Sequence, residues 1–203
     1  MGVQKTIGVV LFDGFELLDV FGPLEMFGLL PEKFDINLLA ENEGVVKSAQ
    51  GPKSVIDYSL KESREYDILF VPGGMGVRTE INNQFLLGWL SERAQTSEFV
   101  TSVCTGSALL AKAGVLDGRR ATTNKRAFNW VVSQSDKVDW IREARWVEDG
   151  NIFTSSGVSA GMDMSLALIS RILGEDVSEQ VAIWAEYDWH RNPNWDPFAK
   201  LQS

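Results

Sequence analysis

The sequence predicts an α/β protein with a three-layer, doubly wound and mostly parallel sheet that carries helices on both faces. Apolar runs of strand length alternate with segments of helical periodicity along almost the whole chain. Such alternation is typical of parallel strands joined by right-handed helical crossovers. The chain has 203 residues, of which 44% are hydrophobic. This length and composition suit one large domain, and we expect it to cover residues 1–203.

The predicted strands are short apolar runs that end at a turn signal. The run 6–12 is continuously hydrophobic, as expected of a strand buried on both faces, and Asp13 and Gly14 end it. Further strands are expected at 34–40, 66–71 and 99–103, with small hairpins formed by 45–47 and 54–57 and by 147–154.

The predicted helices carry apolar residues three to four positions apart. They cover residues 20–30, 84–94, 105–114, 159–173 and 178–187. Residues 188–203 are rich in Trp, Pro and Asn, and we expect an irregular tail that wraps over the body. Four of the seven tryptophans lie between residues 146 and 203, which favours an aromatic-lined pocket or a subunit contact there. These are Trp146, Trp184, Trp189 and Trp195.

Composition excludes several classes of function. The net charge of −9 argues against a nucleic-acid partner, because phosphate binding needs a basic face. No apolar run approaches the roughly 20 residues needed to span a bilayer. One cysteine allows no internal disulfide, and the chain opens on a strand instead of a signal peptide, so we expect a cytoplasmic protein. One histidine and one cysteine cannot build a metal site, and no nucleotide-binding loop is present, so no metal or cofactor is expected.

The single cysteine, Cys104, lies where the predicted strand 99–103 meets the helix 105–114. A nucleophile on such a tight turn has its sulfur at a helix N-terminus, where unpaired amides and the helix dipole favour the thiolate. Gly106 allows close backbone packing at the turn. The alternative is a buried free cysteine that acts as a small hydrophobe. The strand–turn–helix setting favours the nucleophile.

An acid/base partner for Cys104 is expected after the first strand, because ligands of such sheets bind beyond the carboxyl ends of the strands. Asp19 lies among apolar neighbours, and burial together with a nearby thiolate would raise the pKa of its carboxyl. A carboxyl that keeps its proton near neutral pH can donate to sulfur and deliver a proton. Two alternatives remain: Asp19 caps a helix that begins at Val20, or Glu16 is the acid/base.

Two further candidate features are a glycine-rich segment at the same expected edge of the sheet and a histidine in the tail. The segment 72–77 is rich in glycine, and the backbone amides of Gly74 and Thr105 are the predicted donors to a developing negative charge. An ordinary turn is the alternative for that segment. The only histidine, His190, lies in the tail. A Cys–His pair would require the tail to fold back over the site, and packing within the tail is the alternative.

The segments 18–23, 72–74 and 100–110 together resemble the ThiJ/PfpI superfamily. The resemblance runs from the first strand to about Tyr187 and implies the flavodoxin-like, class I glutamine-amidotransferase-like fold. Asp19, Cys104 and the segments 118–123 and 159–163 are most similar to the cyclohexyl-isocyanide hydratase branch. That branch implies a lyase for a small-molecule substrate, which hydrates an isocyanide to an N-substituted formamide. A covalent thioimidate on Cys104, Asp19 as acid/base, a contribution from Thr105 and a homodimer are implied with it.

One departure bears on the mechanism. Many members of the superfamily carry a histidine soon after the nucleophile, where this chain has Asn124, which cannot titrate. A glyoxalase- or amidase-type hydrolase using Cys104 is therefore disfavoured, while a ligand- or redox-sensing module without turnover remains open. Gly73, Gly106 and Asn124 are expected to position the reacting groups without contacting the substrate. Asp163 is expected either to do the same or to cap the helix 159–173.

Overall fold

The computed structural model describes residues 4–201 and confirms the mixed α/β class. The strands are β1 (Lys5–Val10), β2 (Phe34–Ala40), β3 (Val45–Lys47), β4 (Lys53–Val55), β5 (Tyr58–Ser59), β6 (Ile68–Val71), β7 (Phe99–Ser102), β8 (Arg120–Ala121), β9 (Asp139–Trp140), β10 (Trp146–Asp149) and β11 (Ile152–Ser155). The helices are α1 (Leu17–Gly28), α2 (Val77–Glu80), α3 (Gln84–Thr96), α4 (Gly106–Lys112), α5 (Phe128–Val132), α6 (Ala160–Leu173) and α7 (Glu175–Trp184).

A seven-stranded sheet in the order β10-β11-β7-β6-β1-β2-β5 forms the centre of the molecule. All its neighbouring pairs are parallel except β10 with β11, which form an antiparallel hairpin at one edge. The chain leaves β1 toward β2 on one side and later continues from β6 to β7 on the other. The strand order therefore reverses between β1 and β6, and the crevice beyond their carboxyl ends is where such sheets bind ligands.

The core lies between this sheet and two groups of helices. The central strands consist almost entirely of buried apolar residues, because a parallel strand covered on both faces has no solvated side. Helix α6 packs against both α1 and α7, and α4 packs against α2, α3 and α5. Helix α6 also contacts β10 and β11, and α4 contacts β6 and β7, so each helical group rests on the sheet.

The longer elements agree with the predictions, and the differences have local causes. Helix α1 begins at Leu17 instead of Val20, and α7 begins at Glu175, directly after the turn at Gly174 that ends α6. Elements β5, β8, β9, α2 and α5 were not predicted. Each has between two and five residues. Segments this short have too few positions to show a period, so their sequence carries no signal.

Residues 188–201 form neither helix nor strand, and they lie along the segment that precedes β10. The backbone amide of Arg145 donates to the carbonyl of Pro193 at 2.7 Å, and the amide of Asp196 donates to the carbonyl of Glu143 at 2.8 Å. The side chain of Arg142 donates to the carbonyl of Ala199 at 3.0 Å. The ends of the predicted domain and tail, residues 1–3 and 202–203, lie outside the described residues. Among residues 4–201, no helix has the length and apolar character needed to cross a membrane.

Candidate active site at the carboxyl edge of the sheet

Cys104 lies on a sharp backbone turn between β7 and α4. Its φ angle of +55° places a non-glycine residue in the left-handed region, which costs free energy and persists only where neighbours hold it. The amide of Cys104 donates to the carbonyls of Ser155 at 3.2 Å and Ser156 at 3.3 Å. Its carbonyl accepts from the hydroxyls of Ser107 at 3.2 Å and Thr123 at 2.8 Å. These four bonds fix the turn, so the direction of the sulfur is set by the fold.

Two glycines allow the backbone to close around this turn. A Cβ at Gly106 would overlap the carbonyl oxygen of Val71, so α4 can begin directly against the end of β6 only with glycine there. A Cβ at Gly73 would lie 2.6 Å from the amide nitrogen of Thr105 and 2.8 Å from Asp19 Oδ2. Gly73 therefore brings the turn after β6 into contact with both the turn at Cys104 and the side-chain carboxyl of Asp19 in α1.

Asp19 is completely buried in the first turn of α1. Its Oδ2 accepts a hydrogen bond of 2.9 Å from the amide of Gly73, and the same carboxyl interacts with the thiol of Cys104. Its Oδ1 has no regular hydrogen-bond partner among residues 4–201. The capping alternative is wrong, because α1 begins before Asp19 and the residue at the N-cap position, Glu16, makes no side-chain capping bond. The carboxyl of Glu16 instead accepts from the side chain of Gln50 at 2.7 Å.

Burial dominates the electrostatics of this pair. It raises the pKa of Asp19 well above the ordinary carboxyl value, the Gly73 amide opposes the rise, and the charge of Glu16 adds to it. Burial also raises the pKa of the Cys104 thiol well above its usual value, and the neighbouring Asp19 carboxylate adds to that rise. The Thr105 amide and the Asn124 side chain act in the opposite direction by hydrogen bonding to the sulfur. Two adjacent buried acids do not both ionise near neutral pH, so the pair retains a proton.

The prediction that the helix N-terminus makes Cys104 a thiolate is therefore wrong for the thiol taken by itself. Helix α4 has only seven residues, and its field is smaller than the desolvation cost of a sulfur that is 6% exposed. Cys104 is also not the exposed, low-pKa cysteine that the redox-sensing hypothesis assumed. What the structure provides is a buried thiol and a buried carboxyl that interact with each other.

Cys104 nonetheless lines a cavity of about 290 Å³. The other residues that line it come from the segments that follow β1, β6, β7, β8 and β11. They are Glu16, Gly74, Met75, Arg78, Thr105, Asn124, Arg126, Ala127 and Val158. A neighbouring, more apolar cavity of about 230 Å³ shares Asn124, Arg126 and Val158 with it and reaches Phe198 and Leu201 of the tail.

The two predicted amide donors, those of Thr105 and Gly74, have different partners in the structure. The amide of Thr105 interacts with the Cys104 sulfur. The amide of Gly74 donates to the Thr105 hydroxyl at 3.1 Å, so it is not directed at a group in the cavity. Gly74 therefore fixes the side chain of Thr105, and the prediction that it binds a developing negative charge is wrong.

Asn124 contacts the sulfur directly and does not support it from behind. Its side chain hydrogen-bonds to Cys104, and its Oδ1 accepts from the amide of Ala127 at 3.0 Å. Because Oδ1 is held by that bond, the amide nitrogen is the part of Asn124 that remains for the sulfur. A Cβ at Gly157 would lie 2.9 Å from the Cys104 sulfur, so this glycine leaves room for the contact.

Asp163 and His190 do not line the cavity. Asp163 is fully buried in the first turn of α6 and makes no capping bond; its Oδ2 binds Arg145 at 2.6 Å. Its Oδ1 accepts from the hydroxyl of Tyr187 at 3.0 Å and from the amide of His190 at 2.9 Å. The ring of His190 packs on Trp195 with centroids 5.4 Å apart. Asp163 therefore anchors the tail, and the tail does not bring a histidine to Cys104.

Asp163 and Arg145 connect to the reactive turn only through the backbone. The carbonyl of Arg145 accepts from the amide of Ser156 at 2.8 Å, and the carbonyl of Ser156 accepts from the amide of Cys104. Sequence reasoning missed Arg78 and Arg126, which line the cavity. Their signal was present, since each follows by two positions a residue already singled out, Gly76 in the glycine-rich turn and Asn124. Residues 4–201 contain no group of three or more His, Cys, Asp or Glu side chains placed to hold a metal ion.

Comparisons with known proteins agree with one another on the family. The sequence profile of the DJ-1/PfpI family matches residues 5–171. Isonitrile hydratase of Pseudomonas putida is 33% identical over 181 residues, which are 89% of this chain and 78% of that protein. The HTH-type transcriptional regulator GbdR of Pseudomonas aeruginosa is 28% identical over 193 residues, and the match covers 93% of this chain but only 52% of the regulator. The crystal structure of a ThiJ/PfpI family protein from Pseudomonas syringae superposes with a TM-score of 0.84 at 29% identity, covering 93% of this chain and 76% of that one.

Proposed function

The chain belongs to the DJ-1/PfpI family, and from this premise we propose that it is a lyase that hydrates a small isocyanide to an N-substituted formamide. One observation carries the proposal: the Cys104 thiol and the Asp19 carboxyl form a buried, interacting pair, and Cys104 lines a cavity. An isocyanide carbon needs both a nucleophile and a proton to become a thioimidate. The similarity to an isonitrile hydratase supports the same reaction class.

In the first step the proton of the pair and the sulfur reach the same carbon. The Asp19 carboxyl delivers its proton to the isocyanide carbon while the Cys104 thiolate forms a bond to it, which leaves a thioimidate and an Asp19 carboxylate. The high pKa of the carboxyl suits this role, because a buried acid that holds its proton near neutral pH can donate it. A free, stable thiolate is not required, since thiol with carboxylate and thiolate with carboxyl carry the same total charge.

In the second step water replaces the sulfur. The Asp19 carboxylate accepts a proton from the attacking water and passes it to the substrate nitrogen. The tetrahedral intermediate then expels the sulfur, and its hydroxyl proton returns to Asp19, so the N-substituted formamide leaves and the pair is restored. The Thr105 amide and the Asn124 side chain, which hydrogen-bond to the sulfur, stabilise its charge as it departs. One water molecule is consumed and no oxidant or reductant takes part.

Asn124 makes a mechanism with a histidine base unsuitable for this chain. It occupies the contact with the sulfur and cannot accept a proton, and the sole histidine does not line the cavity. Among the groups that line the cavity or contact Cys104, Asp19 and Glu16 supply the carboxyls. Asp19 is the better candidate because it interacts with the thiol, whereas Glu16 binds Gln50.

Purified protein mixed with cyclohexyl isocyanide tests the function. We expect N-cyclohexylformamide to accumulate with wild type and its formation to cease with Cys104→Ala. Cys104→Ser is the matched control, because it replaces the sulfur by an oxygen nucleophile of similar size and alters the pairing with Asp19. Absence of formamide from reduced wild type would refute the proposal, and equal product from Cys104→Ala would refute the covalent mechanism.

A sensor without turnover is the second candidate, favoured by the similarity to a transcriptional regulator. It differs in an observable way, since an isocyanide or formamide would then bind without being consumed. We also expect a homodimer, as the family resemblance implies. A mass in solution equal to that of a single chain would contradict this expectation.

A further inference from the structure

Two arginines line the cavity at Cys104, although the chain as a whole is acidic. The whole protein has a net charge of −9. The ionised side chains that line the cavity are those of Arg78, Arg126 and Glu16, so guanidinium groups outnumber carboxylates there. A guanidinium is protonated at every relevant pH and presents several N–H donors in a fork that matches a carboxylate. A local excess of such groups in an acidic protein indicates that an anion is bound there.

Arg126 is the stronger indication, because nothing else in residues 4–201 uses its charge. It is an exposed side chain that forms no ion pair and no hydrogen bond with any of these residues. It follows Asn124, which contacts the sulfur, by two positions. It also lines both the cavity at Cys104 and the neighbouring apolar cavity, so its guanidinium belongs to the wall between them.

Arg78 is held in place without being neutralised. Its guanidinium stacks over the ring of Trp130 at 4.6 Å and contacts the sulfur of Met75 at 3.6 Å. Both neighbours are uncharged, so they position the group and leave its charge for a ligand. Glu16 is the opposing charge, but one of its oxygens accepts from Gln50. The guanidinium groups of Arg78 and Arg126 therefore remain available to an anionic ligand.

The rest of the lining fits a short apolar stem. Met75, Ala127 and Val158 contribute apolar surface to the same cavity. A ligand that fits it would place a small uncharged reactive group near Cys104 and an anionic group against the arginines, joined by a few apolar atoms.

We propose that the substrate is an isocyanide whose N-substituent carries a carboxylate, and that Arg126, with Arg78, binds this carboxylate and sets specificity. The assignment rests on the proposed hydratase function for the reactive end of the molecule. The selection of a carboxylate rests on the arginines alone, so the hydratase reaction and the carboxylate selectivity can be tested separately.

Isocyanoacetate and methyl isocyanoacetate are the matched substrates, because they share the isocyano group and the methylene bonded to its nitrogen and differ in the charge. We expect wild type to have a kcat/KM for the acid at least about tenfold above that for the ester, the size of a charge-assisted hydrogen bond. Arg126→Gln should lower kcat/KM for the acid more than for the ester and so remove this preference, and Arg126→Lys should restore part of it. Arg78→Gln should lower the preference in the same direction.

Lys33→Gln is the control for a loss of overall charge, since Lys33 is exposed just before β2, at the opposite edge of the sheet. It should leave the preference unchanged. An equal kcat/KM for acid and ester in wild type would overturn the proposal, as would a preference that survives Arg126→Gln together with Arg78→Gln.

Binding of the unreactive products separates this inference from the hydratase proposal. N-formylglycine and its methyl ester are titrated calorimetrically into wild type and Arg126→Gln. Tighter binding of the acid that is lost in the variant supports selection of a carboxylate, and equal binding of acid and ester refutes it. If neither isocyanide is consumed while that selectivity is present, the hydratase function fails and the arginines are assigned to a carboxylate ligand of another class.

Discussion

Replacement of Asp19 by Asn should lower turnover and raise stability at the same time. Asn has the shape of Asp and retains an oxygen that can accept the hydrogen bond from the Gly73 amide, so the turn after β6 is preserved. It cannot donate and recover a proton at neutral pH. Loss of a general acid/base typically lowers the rate by about 10²–10⁴-fold. We therefore expect formamide formation to fall by that factor while KM changes little.

The effect on stability follows from the raised pKa of the buried carboxyl. The folded chain holds the Asp19 proton to a higher pH than the unfolded chain, whose carboxyl titrates near 3.9. Between those two pKa values the folded state binds more protons, so the free energy of unfolding falls as pH rises. Each unit of the rise in pKa corresponds to about 1.4 kcal/mol lost by wild type across this window. Asn carries no such charge, so the variant should be the more stable protein at neutral pH.

Urea unfolding of both proteins from pH 4 to pH 8, with initial rates of formamide formation over the same range, measures both effects. The stability advantage of Asp19→Asn should be small at the acid end and grow with pH. The alkaline limb of the wild-type rate profile, where Asp19 loses the proton that it donates, should lie well above the ordinary carboxyl value and disappear in the variant. A stability difference that does not depend on pH would refute the raised pKa, and unchanged turnover would refute the acid/base role.

Glu16→Gln provides the internal control for this experiment. The charge of Glu16 helps to raise the pKa of Asp19, so its removal should move the alkaline limb to lower pH without abolishing turnover. A loss of turnover as large as that of Asp19→Asn would instead make Glu16 the proton donor.

Two predictions concern the packing behind the site, and both are checked by urea or thermal unfolding. Gly106→Ala should destabilise the fold by about 1–3 kcal/mol or more and abolish turnover, because the new Cβ would overlap the carbonyl oxygen of Val71. The control Gly88→Ala, where no atom lies within 4 Å of the added Cβ in α3, should stabilise the fold by roughly 0.5–1 kcal/mol; similar effects of the two changes would contradict the packing argument. Asp163→Leu should cost about 3–5 kcal/mol, since it leaves Arg145 buried without its closest charge partner; a change below about 1 kcal/mol would show that this ion pair is not needed.

The central sheet and the position of Cys104 could be predicted because they depend on local patterns. The buried strands have continuous apolar runs, and the cysteine stands where one such run meets a helix. The contact of Asp19 with Cys104 joins elements that are distant in the chain, and it was expected only because strand ends converge at one edge. The arginines of the cavity could not be distinguished from solvated surface charges without the fold, since their side chains are exposed.

The predicted charge state of Cys104 was wrong because it depends on two opposing effects whose relative sizes cannot be read from the sequence. The helix N-terminus favours a thiolate, whereas burial and a neighbouring carboxylate oppose it, and only the structure shows that α4 is short and that the sulfur is almost enclosed. The same burial raises the pKa of Asp19, so the proton that the sulfur would otherwise lose to solvent stays within the pair. A substrate that needs the nucleophile and the proton together gains from this arrangement. A substrate that needs only a thiolate does not, because an enclosed sulfur beside an acid is a poor free nucleophile. The failed expectation thus favours hydration of an isocyanide over reactions that begin with an independent thiolate.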